Sequence, residues 1–328
     1  MNHRLILRLL CAALALCCLL PCLGAGEEVY PPRYEAETCI EFHLRMSPDS
    51  SYHGQKVPAF AKVTVYDAQG GWYWISYKNE MGWAKKEWLW AFRSLDAGAY
   101  PVPGFSPCAG VITLQAAQWI EAAGFKGMTA EEGTILAATP GENGEYTLPV
   151  WRGEDRLPRD AGAFTPFVPW QAAQPGDLIG GFTTYYHPRQ GAPLHAERQY
   201  NIALGCDFIS GTVCPPGAVF SFNALCGPYK KGAGYQVAKN ISKDGTGPGG
   251  GICQVTTTLF DAALGLPLQI TVWSPHRYTG VNYVPVSLDA AVGNSRDFQF
   301  VNALPYPIRL WADPQGGAVT VLIYRAEE

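Results

Sequence analysis

The sequence predicts a multidomain protein: a small all-β unit first, then an α+β domain with a mostly antiparallel sheet. Three observations carry this. The 328 residues suffice for two or three domains, each with its own core. Between Cys39 and Phe92, short alternating apolar runs are broken by tight turns, which is the pattern of strands. From Asp177 onward, one or two helix-length segments precede a series of strand-length ones.

Composition supports an ordered, turn-rich chain. Charged residues are 16% and aromatics 12%, with 36 Gly and 26 Pro, too apolar a mixture for a disordered protein. A net charge of −4 without any Lys/Arg run argues against sequence-independent nucleic-acid binding.

Residues 1–25 read as a secretory signal. His3, Arg4 and Arg8 flank the start of the apolar run from Leu9 to Leu20, and Gly24, Ala25 and Gly26 offer a cleavage site. The run is short for a transmembrane helix, and Pro21 spoils a lipoprotein reading of Cys22. Export is therefore expected, with membrane contact only through this segment if it stays uncleaved. Six cysteines remain outside it: Cys39, Cys108, Cys206, Cys214, Cys226 and Cys253. They are too sparse for a disulfide scaffold. Cys39 and Cys108 flank one domain and make a candidate pair.

Within residues 38–92, Ala61–Tyr66 alternates, Gly70-Gly71 turns, and Trp72–Tyr77 alternates again. Residues 93–177 form a connector or a small domain of unknown type. Tyr100–Gly104 reads as a linker and Thr113–Gly124 as a helix with Ala116, Trp119, Ile120 and Ala123 on its apolar face. Short strands are expected around Thr134–Ala137 and Tyr146–Trp151. In residues 178–328, Leu178–Tyr186 reads as a strand, Arg198–Phe208 as a helix, and Gly217–Asn223 as a turn into a strand. Leu268–Trp273, Val281–Val284, Phe298–Val301, Ile308–Trp311 and Val319–Tyr324 are further strands.

The stretch from Thr246 to Phe260 dominates this last region. Four glycines (247, 249, 250 and 251) lead to Cys253, and Val255, Leu259 and Ala263 then recur every four residues, as on one helix face. Gly265 and Pro267 supply the stop. Cys253 thus falls in the first helical turn, where unpaired N–H groups and the helix dipole favour a thiolate. Glycines ahead of it lack side chains that would keep a substrate from the sulfur.

Two resemblances rest on these residues. Leu44-Arg45-Met46-Ser47-Pro48, Gly71-Trp72-Tyr73-Trp74-Ile75 and Gly82-Trp83-Ala84 with Trp88-Leu89 resemble a bacterial SH3-like domain over 38–92. That resemblance implies a small barrel with Trp72 and Trp83 in one core, and binding to cell-wall peptides or polysaccharides. From Arg198 and Asn201-Ile202 through Phe220-Ser221-Phe222-Asn223, Gly249-Gly250-Gly251-Ile252-Cys253-Gln254-Val255, His276, Tyr283-Val284-Pro285 and Asp289-Ala290, the chain resembles the VanW family. That family takes its name from an accessory gene of glycopeptide-resistance clusters. With the expected export and the SH3-like resemblance, an extracellular or wall-associated protein is expected, its partner peptidoglycan or a wall peptide. Ala291 departs from the Thr usual after Asp-Ala, and Cys206, Cys214 and Cys226 are not family landmarks.

Cys253, His276 and Asp289 appear in the chain order of papain-like and transglutaminase-like cysteine enzymes, with His276 and Asp289 each expected after a strand. A thiolate to attack a carbonyl, an imidazole to move the proton and a carboxylate to orient the imidazole is the set such chemistry needs. Gln254 or backbone N–H groups near the thiol are candidate oxyanion donors. Gly250, Gly251, Arg198, Asn223 and Tyr283 complete the candidates for substrate contact. No metal or other cofactor is expected, since Cys-x-x-Cys, His-Glu-x-x-His, a phosphate-loop Lys-Ser/Thr and Gly-x-Ser-x-Gly are all missing. Two readings stand: a secreted cysteine hydrolase or transpeptidase acting on peptidoglycan peptides, or a non-catalytic wall-binding module.

Overall fold

The computed structural model describes residues 34–327 except 49, 51–52, 70, 79, 95–104, 122–126, 151–154, 187–190, 242–243, 277–280 and 285–287. The signal segment and the Tyr100–Gly104 linker lie outside the described residues. Antiparallel sheet dominates, with few helices, in a multidomain α+β architecture.

The N-terminal sheet has seven strands: β1 (Tyr34–Thr38), β2 (Phe42–Arg45), β3 (His53–Val57), β4 (Lys62–Gln69), β5 (Trp72–Tyr77), β6 (Glu80–Lys85) and β7 (Leu89–Ser94). Their order is β3-β2-β6-β5-β4-β1-β7, and the ladder does not close on itself. The expected closed barrel is therefore not what the strands build. Leu44, Val57, Val65, Tyr73, Ile75, Ala84 and Phe92 form its core. Tyr73 lies opposite Ala84 and Trp74 opposite Trp83, so strand alternation sends the tryptophans to the other face. There Trp74 and Trp83 pair at 5.3 Å between ring centroids, and Trp72 packs edge-on against Trp88. Trp72 and Trp83 are thus not members of one barrel core.

Residues 110–166 make a second layer from β8 (Gly110–Leu114), β9 (Gln118–Ile120), β10 (Met128–Ala130), β11 (Ile135–Pro140), β12 (Tyr146–Leu148), β13 (Asp155–Leu157) and β14 (Gly162–Pro166). Five of these form a sheet in the order β13-β12-β11-β8-β14, while β9 and β10 pair separately. The helix expected over Thr113–Gly124 is absent. Thr113 instead pairs with Ile135 and Ala163 across two ladders. Trp119 is 63% exposed beside Ile120 at 1%, opposite orientations that neighbours take on a strand and that one apolar helix face would not give. Two hydrogen bonds tie this layer to the C-terminal region. The Ala137 N–H donates to Thr183 Oγ1 at 2.8 Å, and Thr320 Oγ1 donates to the Ile135 carbonyl at 2.7 Å.

The C-terminal region comprises β15 (Leu178–Tyr185), α1 (His195–Ile209), β16 (Val213–Cys214), β17 (Val219–Ser221), α2 (Phe222–Cys226), β18 (Val237–Lys239), β19 (Thr246–Pro248), α3 (Ile252–Leu264), β20 (Gln269–Val272), β21 (Gln299–Val301), β22 (Ile308–Gln315) and β23 (Ala318–Arg325). One sheet runs β15-β23-β22-β16 and another β17-β21-β20. Helix α3 lies against β15 and β23, and α1 against β22 and α3. The expected strand over Val281–Val284 is irregular chain instead. All six described cysteines are free, so the Cys39–Cys108 pair does not form.

Candidate active site

Twelve of the 13 residues of α3 are buried, and Cys253 is the exception. A helix apolar or satisfied all round is a core helix, so its single opening to the surface is the thiol. Its hydroxyls are internally used. Thr258 Oγ1 donates to the Gln254 carbonyl at 2.8 Å and shares a 2.7 Å hydrogen bond with Thr184. Phe260 stacks on Trp273 at 5.0 Å and meets Phe298 edge-on, which pins the chain leading to His276 against the helix.

His276 and Asp289 come from segments that face each other. The Ala291 N–H donates to the Ser274 carbonyl at 2.8 Å, and Trp273 Nε1 donates to the Asp289 carbonyl at 2.9 Å. His276 follows β20, whereas the strand expected before Asp289 at Val281–Val284 is not formed. Asp289 Oδ2 accepts from the His276 backbone N–H at 2.7 Å and bonds the ring Nδ1 at 2.6 Å. The carboxylate thereby fixes the ring's position and leaves Nε2 for another partner. Cys253 lies near enough to His276 for its charge to act on the imidazole. The thiol points in addition at the Val292 carbonyl, 3.6 Å away. Burial by itself would depress the imidazole, but the hydrogen bond with Asp289, and the charges of Cys253 and Asp289, raise His276 to about 9. The imidazolium form is therefore held at neutral pH.

Cys253 is the second residue of α3, and its backbone N–H is one of the donors a helix start leaves over. Among the described residues no acceptor meets it, while Ile252 and Gln254 donate to Gly249 and Gly251. An anionic oxygen beside the sulfur would find this donor free.

The other candidate residues divide. Gly251 caps α3 at φ 110°, a left-handed conformation, and a Cβ there would sit 3.0 Å from the Arg198 carbonyl and Ile202. A Cβ on Gly250 would lie 2.5 Å from the Lys239 carbonyl. Both glycines are buried, so what approaches them is β18 and α1, not a substrate. Gln254 is 1% exposed; Arg198 Nη2 donates to its Oε1 at 2.7 Å and its Nε2 donates to Thr184 at 3.2 Å. It holds Arg198 and does not offer its amide as an oxyanion donor. Asn223 Nδ2 donates to the Gly293 and Arg296 carbonyls at 3.0 and 2.7 Å, and its Oδ1 accepts from Tyr229. That amide clamps the turn beyond Val292 and is spent. Arg198 and Tyr283 remain as side chains near the thiol. Burial pushes the Tyr283 phenol above its ordinary range, and the Cys253 charge adds to this, so it stays a neutral donor.

Three further residues escaped the sequence reading. Thr257, one turn along α3 from Cys253, accepts the Ala290 N–H at 3.0 Å and so locks the Asp289 segment to the helix. Its i+4 position was the available signal. Asp297 accepts from Ser221, the Asn223 N–H and Gln299 at 2.6–2.9 Å, holding α2 in place. Asp261, one turn beyond Thr257, is 1% exposed with neither carboxyl oxygen partnered. Burial, and then the Asp289 charge, drive it well above the carboxylate range, so it is a neutral acid below the site.

Fold and site together define an α+β domain in which a carboxylate bonds an imidazole and a thiol lies within electrostatic reach of that ring. Residues 197–324 match the family model described as VanW like protein, so the chain carries a VanW-like domain over the segment containing all three groups. A relative, the uncharacterized protein YoaR of Bacillus subtilis (strain 168), is 35% identical over 152 residues, covering 45% of this chain and 48% of that protein. The chain thus spans about half the length of that relative. Among solved structures, NlpC1 and NlpC2 from Trichomonas vaginalis align over 92% and 90% of this chain and 95% and 98% of theirs. Their identities are 11% and 10% and their TM-scores 0.18 and 0.17, values at which the likeness carries no argument.

Proposed function

We propose that this protein is an exported, cysteine-dependent acyl-transfer enzyme, a hydrolase or transpeptidase acting on peptidoglycan stem peptides. The observation that carries the reading is the His276–Asp289 hydrogen bond beside Cys253, whose thiol is the sole surface opening of a buried helix and whose charge acts on the imidazole. In the reaction, the Cys253 thiolate adds to an amide carbonyl carbon. The displaced electron pair moves to the carbonyl oxygen, opposite the free Cys253 N–H. As the C–N bond breaks, the His276 imidazolium gives its proton to the leaving amine, and a thioester remains on Cys253. Water or a second amine then attacks the thioester and passes a proton to the imidazole. The thiolate leaves, and the ion pair is restored.

The substrate class rests on the resemblance to the VanW family and on the expected export. The SH3-like resemblance adds wall contact, for which the outward Trp74–Trp83 pair is the suited surface. The test is to incubate purified protein with a muropeptide mixture, quench in acid and weigh the intact chain. An acyl adduct on wild type that is missing from Cys253→Ala supports the reading. A chain that gains no mass while peptides are neither cut nor joined points to a non-catalytic binding module.

A further inference from the structure

Arg198 sits in α1 beside the start of α3, with its Cγ 3.1 Å from where a side chain on Gly251 would begin. A guanidinium carries five N–H donors. Among the described residues only Nη2 meets an acceptor, the Gln254 amide, itself anchored on Thr184. Arg198 is only partly buried. Among the described residues no carboxylate pairs with Arg198. The acids of the site are engaged elsewhere or neutral: Asp289 holds His276, Asp297 holds Ser221 and Asn223, and Asp261 is buried and uncharged. Gln254 is the residue after Cys253, so its hydrogen bond holds the guanidinium beside the first turn of α3. A half-buried cation that is braced by a buried amide but has no anion is costly as mere structure. It is a prepared fork for a carboxylate.

We propose that Arg198 reads a carboxylate on the acyl substrate, so that the site takes peptides bearing a free carboxylate close to the carbonyl under attack. This deepens the acyl-transfer reading and rests on Cys253 being its nucleophile.

Iodoacetate and iodoacetamide separate the two ideas, because they match in size and differ in charge. With either, the Cys253 sulfur displaces iodide and forms one C–S bond. The readout is the ratio of their rates on Cys253, relative to the same ratio for free cysteine at pH 7. His276 also attracts the anion, so the ratio is compared between wild type, R198Q and R198K. We expect R198Q to lower it about tenfold, the scale of a charge-assisted hydrogen bond, and R198K to restore part of the loss. A ratio within about twofold of wild type in R198Q overturns the proposal, twofold being under the scale of such a bond. If R198Q does not fold, protection of wild type against iodoacetamide decides. Protection by N-acetylalanine and not by N-acetylalanine amide supports the proposal; equal protection by the two, or none, overturns it. Slow alkylation by both reagents denies the nucleophile itself, whereas fast iodoacetamide without anion preference denies only the role of Arg198.

Discussion

His276→Ala is expected to lower the acyl-transfer rate by roughly four orders of magnitude, the scale on which such a group acts as a unit with its nucleophile. The imidazole has two tasks here. It holds the proton taken from the thiol and delivers it to the leaving amine, and alanine does neither. Because the hydrogen bond with Asp289 and the charges of Cys253 and Asp289 raise His276 to about 9, wild-type turnover should persist through neutral pH and fall as pH rises through about 9. Steady-state rates on a muropeptide between pH 6 and 10 check both points. A His276→Ala protein with turnover near wild type would remove the imidazole from the reaction.

Asp289→Asn should have the second-largest effect, a fall in kcat of about 10²–10⁴-fold with the fold retained. The substitution preserves shape but replaces the acceptor on Nδ1 with a group that no longer fixes the ring's tautomer. It also weakens a stability dependence. In wild type, His276 rises from roughly 6.5 in the unfolded chain to about 9 in the folded one. Its contribution is therefore fully present below about 6.5 and lost as pH rises through about 9, about 3 kcal/mol in all. Without the carboxylate, the part of the rise due to Asp289 is lost, so the stability lost as pH rises should shrink and the ring should titrate lower than in wild type. Urea midpoints at pH 5, 7 and 9.5, with the ring titration followed by NMR, separate this from plain loss of packing. A merely structural Asp289 would leave the ring titration unmoved.

How much of this could be read in the sequence depended on how many residues carried each signal. The four-residue recurrence of Val255, Leu259 and Ala263, ended by Gly265, spans α3, and the alternation around Ile308–Trp311 and Val319–Tyr324 lies in the β22–β23 pair. Long periodic runs leave one periodicity standing. Thr113–Gly124 was too short for that: Ala116, Trp119, Ile120 and Ala123 fit a helix face, but Val111, Ile112 and Thr113 are β-branched and enter β8. Of the three groups singled out by the order of Cys253, His276 and Asp289, the last two are hydrogen-bonded and the thiol lies within electrostatic reach of the ring. The duties of their neighbours were not legible. Gln254 and Asn223 read as ligand-facing amides because residue type says nothing about which backbone groups will claim them. Gly250 and Gly251 read as room for a substrate, yet the room is filled by β18 and α1. Closure of the N-terminal sheet was equally hidden, since alternation fixes the face of Trp74 and Trp83 but not whether the end strands join.

The most direct test of the central claim is the rate of Cys253 alkylation by iodoacetamide as a function of pH, in wild type and His276→Ala. An imidazolium held beside the sulfur predicts reactivity well above that of free cysteine already at pH 6–7, a change as pH passes about 9, and loss of the neutral-pH advantage in His276→Ala. A Cys253 that stays unreactive at every pH, or that tracks free cysteine identically with and without His276, would contradict it.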